Sequence, residues 1–335
     1  MIRFGIVGAG WRSEFYIRIA AALPHLFELT GIYIRNEQTA QDFGEKYDIN
    51  ICKTLDEMLD TNPDFVVSCV NKAGMCDQIE LLCQKGVAVL SETPVGDCDE
   101  QTDLFLSKVK PEWRIQVAEQ FHLQPLHQAI KAVIDQGVIG EVSHVHLSCC
   151  HDYHAVSLIR TFLGVEDVIP AVKSVEFNQP LTIYNGRGGV MEEPFEKEST
   201  HTLSFMDFGG KTALYDFVKE QYFSDIRRTR IAIQGTKGEI VDGVCTYLEG
   251  NIPCRFELDS IRRGAEGNLD GMYLDCITAK GNMLYKNPFG KARLTDEEIA
   301  IATCLVKMDE YLKTGKEFYS VSKAAVDAKT AFLFH

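Results

Sequence analysis

The chain has 335 residues, 45% of them hydrophobic and 24% charged, with a formal net charge of −14. That balance fits a globular protein of two domains of roughly 100–200 residues each, and excludes disorder or low complexity for most of the chain. An acidic chain without a Lys/Arg cluster repels nucleic-acid backbones, and no apolar run nears the roughly 20 residues that span a bilayer.

Residues 2–7 read as a buried strand with no leader-like segment before them. The eleven cysteines lack any C-x-x-C spacing, so reduced thiols in a cytoplasmic protein are expected. Through the first 120 residues, apolar runs ending at Val7, Ile34, Val70, Leu90 and Ala118 alternate with helix-period segments at 12–20, 38–47, 54–60, 75–85 and 99–109. Thr54 and Glu57 have the spacing of a capping box. Buried strands interleaved with helices predict a doubly wound parallel sheet.

The rhythm changes after about residue 122. A helix over 125–136 stops at Gly137, a strand covers 142–148, and a helix over 154–163 closes at Gly164. Beyond 171 the chain turns strand-rich. Hairpins are expected around Gly209-Gly210 and Gly235–Gly238, and a loop over 184–198. Successive strands without helices predict a large, open, mostly antiparallel sheet. Helices over 295–313 and 322–332 close the chain, the second capped by Ser322.

After the first strand, Gly8-Ala9-Gly10-Trp11-Arg12-Ser13 is a G-x-G-x-x-S opening a helix. The first glycine suits a tight turn, the second lets backbone N–H groups approach a pyrophosphate, and Ser13 nearly meets the need for a small third residue. Glu28, some 20 residues on, stands at the wrong end of its strand to bind a ribose. Arg35 and Asn36 stand at the carboxyl end, and Arg35 could hold a ribose 2′-phosphate, which tilts NAD or NADP slightly toward NADP.

Four stretches in order resemble the glucose–fructose oxidoreductase / inositol dehydrogenase / MocA (Gfo/Idh/MocA) family. They are Gly8-x-Gly10, Ala88 to Pro94 at the family's Glu-Lys-Pro strand end, Gln120 to Val142, and His154-x6-Arg160-x-Phe162-Leu163-Gly164. The resemblance implies a Rossmann domain (1–121) and a second α/β domain (122–335) for substrate and oligomerisation, as a homodimer or homotetramer through its open sheet. It also implies hydride exchange between a nicotinamide and a sugar, glycoside or polyol carbon, with cofactor contacts at Asn71, Glu92, Thr93 and Gln120 besides the Gly8–Ser13 loop. The helix of the family's catalytic histidine places that role on His154, whose type suits proton exchange near neutrality, with Tyr153 beside it.

The departures are specific. Thr93 stands where the family has its catalytic lysine, Cys150 and Ser157 where it has aspartates, and the turn after the fourth strand reads Asn71-Lys72-Ala73-Gly74-Met75 without proline or histidine. Two other activities therefore stay open: a redox-neutral NAD-dependent glycosidase or lyase, and a cofactor-binding protein without catalysis. His144 and His146 alternate on one strand, a pattern that a half-exposed sheet explains without a metal. Tyr222 and Arg227 are secondary substrate candidates against the plainer reading of cross-strand pairing.

Overall fold

The computed structural model describes residues 1–166, 168–267, 269 and 271–335. The chain forms two compact units. In the first, β1 (Ile2–Val7), α1 (Trp11–Ala22), β2 (Phe27–Tyr33), α2 (Glu37–Lys46), β3 (Ile51–Cys52), α3 (Leu55–Leu59), β4 (Phe65–Ser68), α4 (Lys72–Gln84), β5 (Val89–Ser91), α5 (Asp99–Lys108) and β6 (Ile115–Val117) alternate strand and helix. The strands make a six-stranded sheet in the order β3-β2-β1-β4-β5-β6 with every pair parallel. Every residue of β4, β5 and β6 is buried, as a sheet covered on both faces requires. The order reverses at β1, so ligands of such a sheet belong outside its carboxyl ends.

The second unit begins with α6 (Pro125–Asp135), β7 (Val142–Ser148) and α7 (Asp152–Leu163). α7 is buried nearly all round, from His154 to Arg160 and at Phe162 and Leu163, and Gly164 ends it at φ +64°. Then come β8 (Ala171–Gly186), β9 (Gly189–Asp207), β10 (Thr212–Val218), β11 (Arg230–Gly235), β12 (Gly238–Val241), β13 (Val244–Glu249) and β14 (Ile252–Glu257). With β7 they form an eight-stranded sheet, β14-β13-β12-β11-β7-β10-β9-β8. Its pairs are antiparallel except β7 with β10. A three-stranded sheet of β15 (Asp259–Arg263), β16 (Tyr273–Ala279) and β17 (Asn282–Lys286) follows, and α8 (Asp296–Thr314) and α9 (Val321–Phe332) close the chain.

Several expectations need correction. Residues 184–198 are not a loop but the distal part of the β8–β9 ribbon, paired from Ala171↔Asp207 to Gly186↔Gly189. Residues Gly189–Glu198 are exposed on both faces, so burial imposes no alternation on the sequence there. The reciprocal box at Thr54 is only half formed: Thr54 accepts from the Glu57 N–H, but Glu57 reaches back to the Lys53 N–H. A complete box sits at Thr295 and Glu298 instead. α9 starts one residue earlier than expected and is capped by Ser320, which accepts from the Lys323 N–H at 3.3 Å, rather than by Ser322. The first unit comprises Met1–Pro125, Ile261–Cys276 and Lys286–Ala325, so much of 122–335 returns to it. α8 packs against α1 there, covering apolar surface that the first 121 residues leave open. No helix among the described residues is long and apolar enough to cross a membrane.

Candidate functional site

In the first unit every residue expected to touch a cofactor follows the carboxyl end of a strand: Gly8 to Ser13 after β1, Arg35 and Asn36 after β2, Asn71 after β4, Glu92 and Thr93 after β5, Gln120 after β6. Gly8 sits at φ +108°, and a Cβ there would lie 2.5 Å from the Cys69 carbonyl oxygen. No L side chain fits, so the turn requires glycine. Gly10 is the N-cap of α1, in extended conformation, and no side chain caps the helix. The helix end therefore offers backbone N–H groups and the positive end of its dipole to an anion. Ser13 is fully buried and its hydroxyl donates to the Gly10 carbonyl at 2.5 Å. These residues fit a dinucleotide pyrophosphate.

The side chain of Arg12 is engaged. Its Nε lies 3.3 Å from Glu92 Oε2 and its Nη1 2.7 Å from Glu297 Oε1. Gln120, with its amide oxygen turned inward, accepts from Nη2 at 3.0 Å. Burial works against the charge of Arg12, but Glu92 and Glu297 outweigh it and hold the guanidinium above its ordinary pKa. Glu92 is buried and accepts from the Tyr16 hydroxyl at 2.5 Å. Burial lifts its carboxyl above the usual range, Arg12, Tyr16 and the Thr93 N–H oppose the lift, and Glu119 adds to it. The guanidinium, expected as a cofactor ligand, thus anchors the loop to the end of β5.

Asn36 and Asn71 are both helix caps: Asn36 accepts from the Thr39 N–H at 2.9 Å and Asn71 from the Gly74 N–H at 3.0 Å. Arg35 is exposed and forms no ion pair among the described residues. Trp11 is 41% exposed, its ring edge-on to Phe15. Glu28 pairs with Arg3 at 3.1 Å. A cavity of about 640 Å³ opens at the opposite, amino ends of β4 to β6, lined by Asp64, Ala88, Trp113 and Arg114 among others, and holds none of these residues.

In the second unit the chain leaves β7 through Cys149 and Cys150 into the N-terminus of α7. His154 is 2% exposed, while His151, Asp152 and Tyr153 are half-buried. The Tyr153 and His154 rings lie 4.5 Å apart, and His151 stands 5.1 Å from each. Two tyrosines from outside this stretch complete the group. Tyr215 on β10 accepts from the Asp152 N–H at 3.1 Å and donates to Asp152 Oδ1 at 3.3 Å. Tyr222 accepts from the His151 N–H at 2.8 Å and lies 2.6 Å from His151 Nδ1. Neighbouring Gln221 fixes Tyr222 by donating to the Ser148 carbonyl at 2.9 Å and to the Arg228 carbonyl at 3.2 Å. Asp152 holds φ +43°, a conformation that costs a non-glycine residue about 1 kcal/mol or more and that these bonds sustain.

Sequence reasoning gave Tyr222 only a secondary place and passed over Tyr215. What brings both tyrosines to the start of α7 is the parallel pairing of β10 with β7, which no local signal in the sequence displays. The strand histidines are engaged elsewhere: His144 Nδ1 lies 2.9 Å from the Thr212 hydroxyl, and His146 Nε2 3.4 Å from Asp216.

The model of the GFO_IDH_MocA family, an oxidoreductase family with an NAD-binding Rossmann fold, matches residues 2–111. A scyllo-inositol 2-dehydrogenase (NADP(+)) of Bacillus subtilis (strain 168) is 30% identical over 112 residues, 33% of this chain and 34% of that protein. The match therefore spans about a third of that relative's length. Among solved structures, a levoglucosan dehydrogenase in complex with NADH and levoglucosan aligns with TM-score 0.69 and 14% identity, over 99% of this chain and 96% of that one. An oxidoreductase from Agrobacterium radiobacter in complex with NAD+, L-tartaric acid and magnesium aligns with TM-score 0.66 and 17% identity, over 100% and 94%. Identities this low establish a shared fold.

Proposed function

This chain belongs to the Gfo/Idh/MocA oxidoreductase family, and we propose that it moves a hydride between a nicotinamide dinucleotide and the hydroxyl or keto carbon of a sugar, glycoside or polyol. The observation that carries this reading is the Gly8 turn, closed to any Cβ by the Cys69 carbonyl and leading into the uncapped end of α1. The bound cofactor would supply the hydride chemistry. Gly8 and Gly10 shape the turn, the N–H groups of Trp11 to Ser13 face the pyrophosphate, and Arg12 holds the loop. Arg35 takes a ribose 2′-phosphate, which favours NADP and accords with the NADP(+)-named relative. Asn36, Asn71, Glu92, Thr93 and Gln120 complete the rim.

The second unit carries the proposed substrate and proton-handling residues, Tyr153 and His154. The half-buried Tyr153 is the group for the substrate oxygen, while His154, 2% exposed, packs against its ring. Burial thus shifts the substrate-facing role toward Tyr153. Val175, Phe177 and Phe205 are exposed on the face of the eight-stranded sheet that also carries His201, a surface suited to a homodimer or homotetramer. The test is calorimetry with NADPH and NADH, then turnover on a panel of sugars and polyols followed by nicotinamide absorbance. Absence of cofactor binding overturns the reading. Binding without turnover on the panel overturns the proposed activity.

A further inference from the structure

We propose that Tyr222, His151 and Tyr153 form a proton relay that supplies the substrate oxygen, in a chain with Thr93 where a lysine would do so directly. The inference rests on the hydride-transfer reading but stands on its own geometry. The Tyr222 oxygen accepts the His151 backbone N–H at 2.8 Å and lies 2.6 Å from the His151 ring Nδ1. With one acceptor site used by the backbone, the phenol directs its own hydrogen at Nδ1. The neutral ring then carries its hydrogen on Nε2, which faces the Tyr153 hydroxyl at 3.3 Å. Both ring nitrogens are committed, one to each phenol, and the second hydroxyl keeps a hydrogen to give away.

The proton balance closes. In the reductive direction the carbonyl carbon gains a hydride and its oxygen becomes an alkoxide, which takes the hydrogen of Tyr153. His151 Nε2–H then reprotonates Tyr153, Tyr222 reprotonates Nδ1, and Tyr222, 38% exposed, recovers a proton from water. Oxidation of an alcohol runs the same moves backward and releases the proton to solvent. Tyr153 is the catalytic member, and His151 and Tyr222 act through it. The groups facing the His151 ring are Tyr222, Tyr153 and His154, and Cys149 and Cys150 lie within electrostatic reach of Tyr222.

Two measurements test the relay. Nitrogen NMR of the histidine rings in the unliganded chain should place the His151 hydrogen on Nε2, and Tyr222→Phe should let the other tautomer appear. A ring found with its hydrogen on Nδ1 overturns the proposal. In turnover, Tyr222→Phe and His151→Asn should each lower kcat by about tenfold to a hundredfold, leave KM within about twofold, and move the pH profile of kcat. A purely bracing role would lower thermal stability and leave that profile in place, which also overturns it. If the unaltered protein turns over nothing, the hydride-transfer reading fails, and the tautomer measurement still decides whether the phenol–imidazole chain exists.

Discussion

Replacing Arg12 with methionine isolates the charge that holds the cofactor loop. At an effective dielectric of about 20, unit charges 3.3 Å apart attract by about 5 kcal/mol, and removing one partner of a buried pair costs about 3–5 kcal/mol. The Arg12 side chain is 19% exposed and that of Glu92 7%, so the lower end applies. Glu92 can escape by taking a proton. From an ordinary pKa of 4.5, protonation costs about 1 kcal/mol at about pH 5 and about 5 kcal/mol at about pH 8. The loss should therefore be about 1 kcal/mol at the lower pH and about 3 kcal/mol at the higher. The sign follows from linkage: a carboxyl whose folded pKa is raised keeps its stability below the unfolded pKa and loses it as pH rises through the folded pKa. Urea unfolding by tryptophan fluorescence reads this unit specifically, because both tryptophans, Trp11 and Trp113, lie in it. In a Glu92→Gln background the same substitution should cost under about 1 kcal/mol. Equal losses at both pH values, or in both backgrounds, would refute the argument.

Gly8→Ala should abolish measurable cofactor binding in calorimetry, because its Cβ meets the Cys69 carbonyl at 2.5 Å and the positive φ adds about 1–2 kcal/mol of strain. Arg35→Ala should weaken NADPH by about tenfold, the worth of one charge-assisted bond, while NADH affinity holds; equal weakening of both would remove Arg35 from the phosphate site. Asp216 is held down to about 2 by bonds to His146 and His201, against its burial. Its contribution is present above its ordinary value of 3.8 and is lost as pH falls toward about 2. Discounted for partial exposure, that is about 1 kcal/mol. Asp216→Asn should flatten thermal stability across this window, and an unchanged acid slope would show that Asp216 does not set it.

The first unit was legible because its signals are local. Strand, glycine turn and helix succeed one another within about fifteen residues, and Gly8 declares a conformation that its neighbours cannot take. Arg12 was legible as a residue but not in its role, since its partners Glu92 and Glu297 stand far along the chain. The β8–β9 ribbon escaped for the opposite reason: exposed on both faces over Gly189–Glu198, it leaves no pattern of burial to read. His154 was located by its helix, yet its burial depends on how α7 packs, which spacing alone does not state.

One topological fact accounts for the second cluster. Antiparallel neighbours bring the end of one strand to the start of the next, so their following loops diverge. β7 and β10 run parallel, with Thr212 opposite His144 and Tyr215 opposite Leu147, and their carboxyl ends emerge side by side. The segment after β7 carries His151 to His154, and the segment after β10 carries Gln221 and Tyr222. Tyr222 can therefore reach the His151 ring across 71 residues of sequence. The first unit gathers its candidate cofactor residues in the same way, at the carboxyl ends of parallel strands. In a sheet otherwise antiparallel, the single parallel pair is where chain-distant side chains can converge, and there the hydroxyls and imidazole meet.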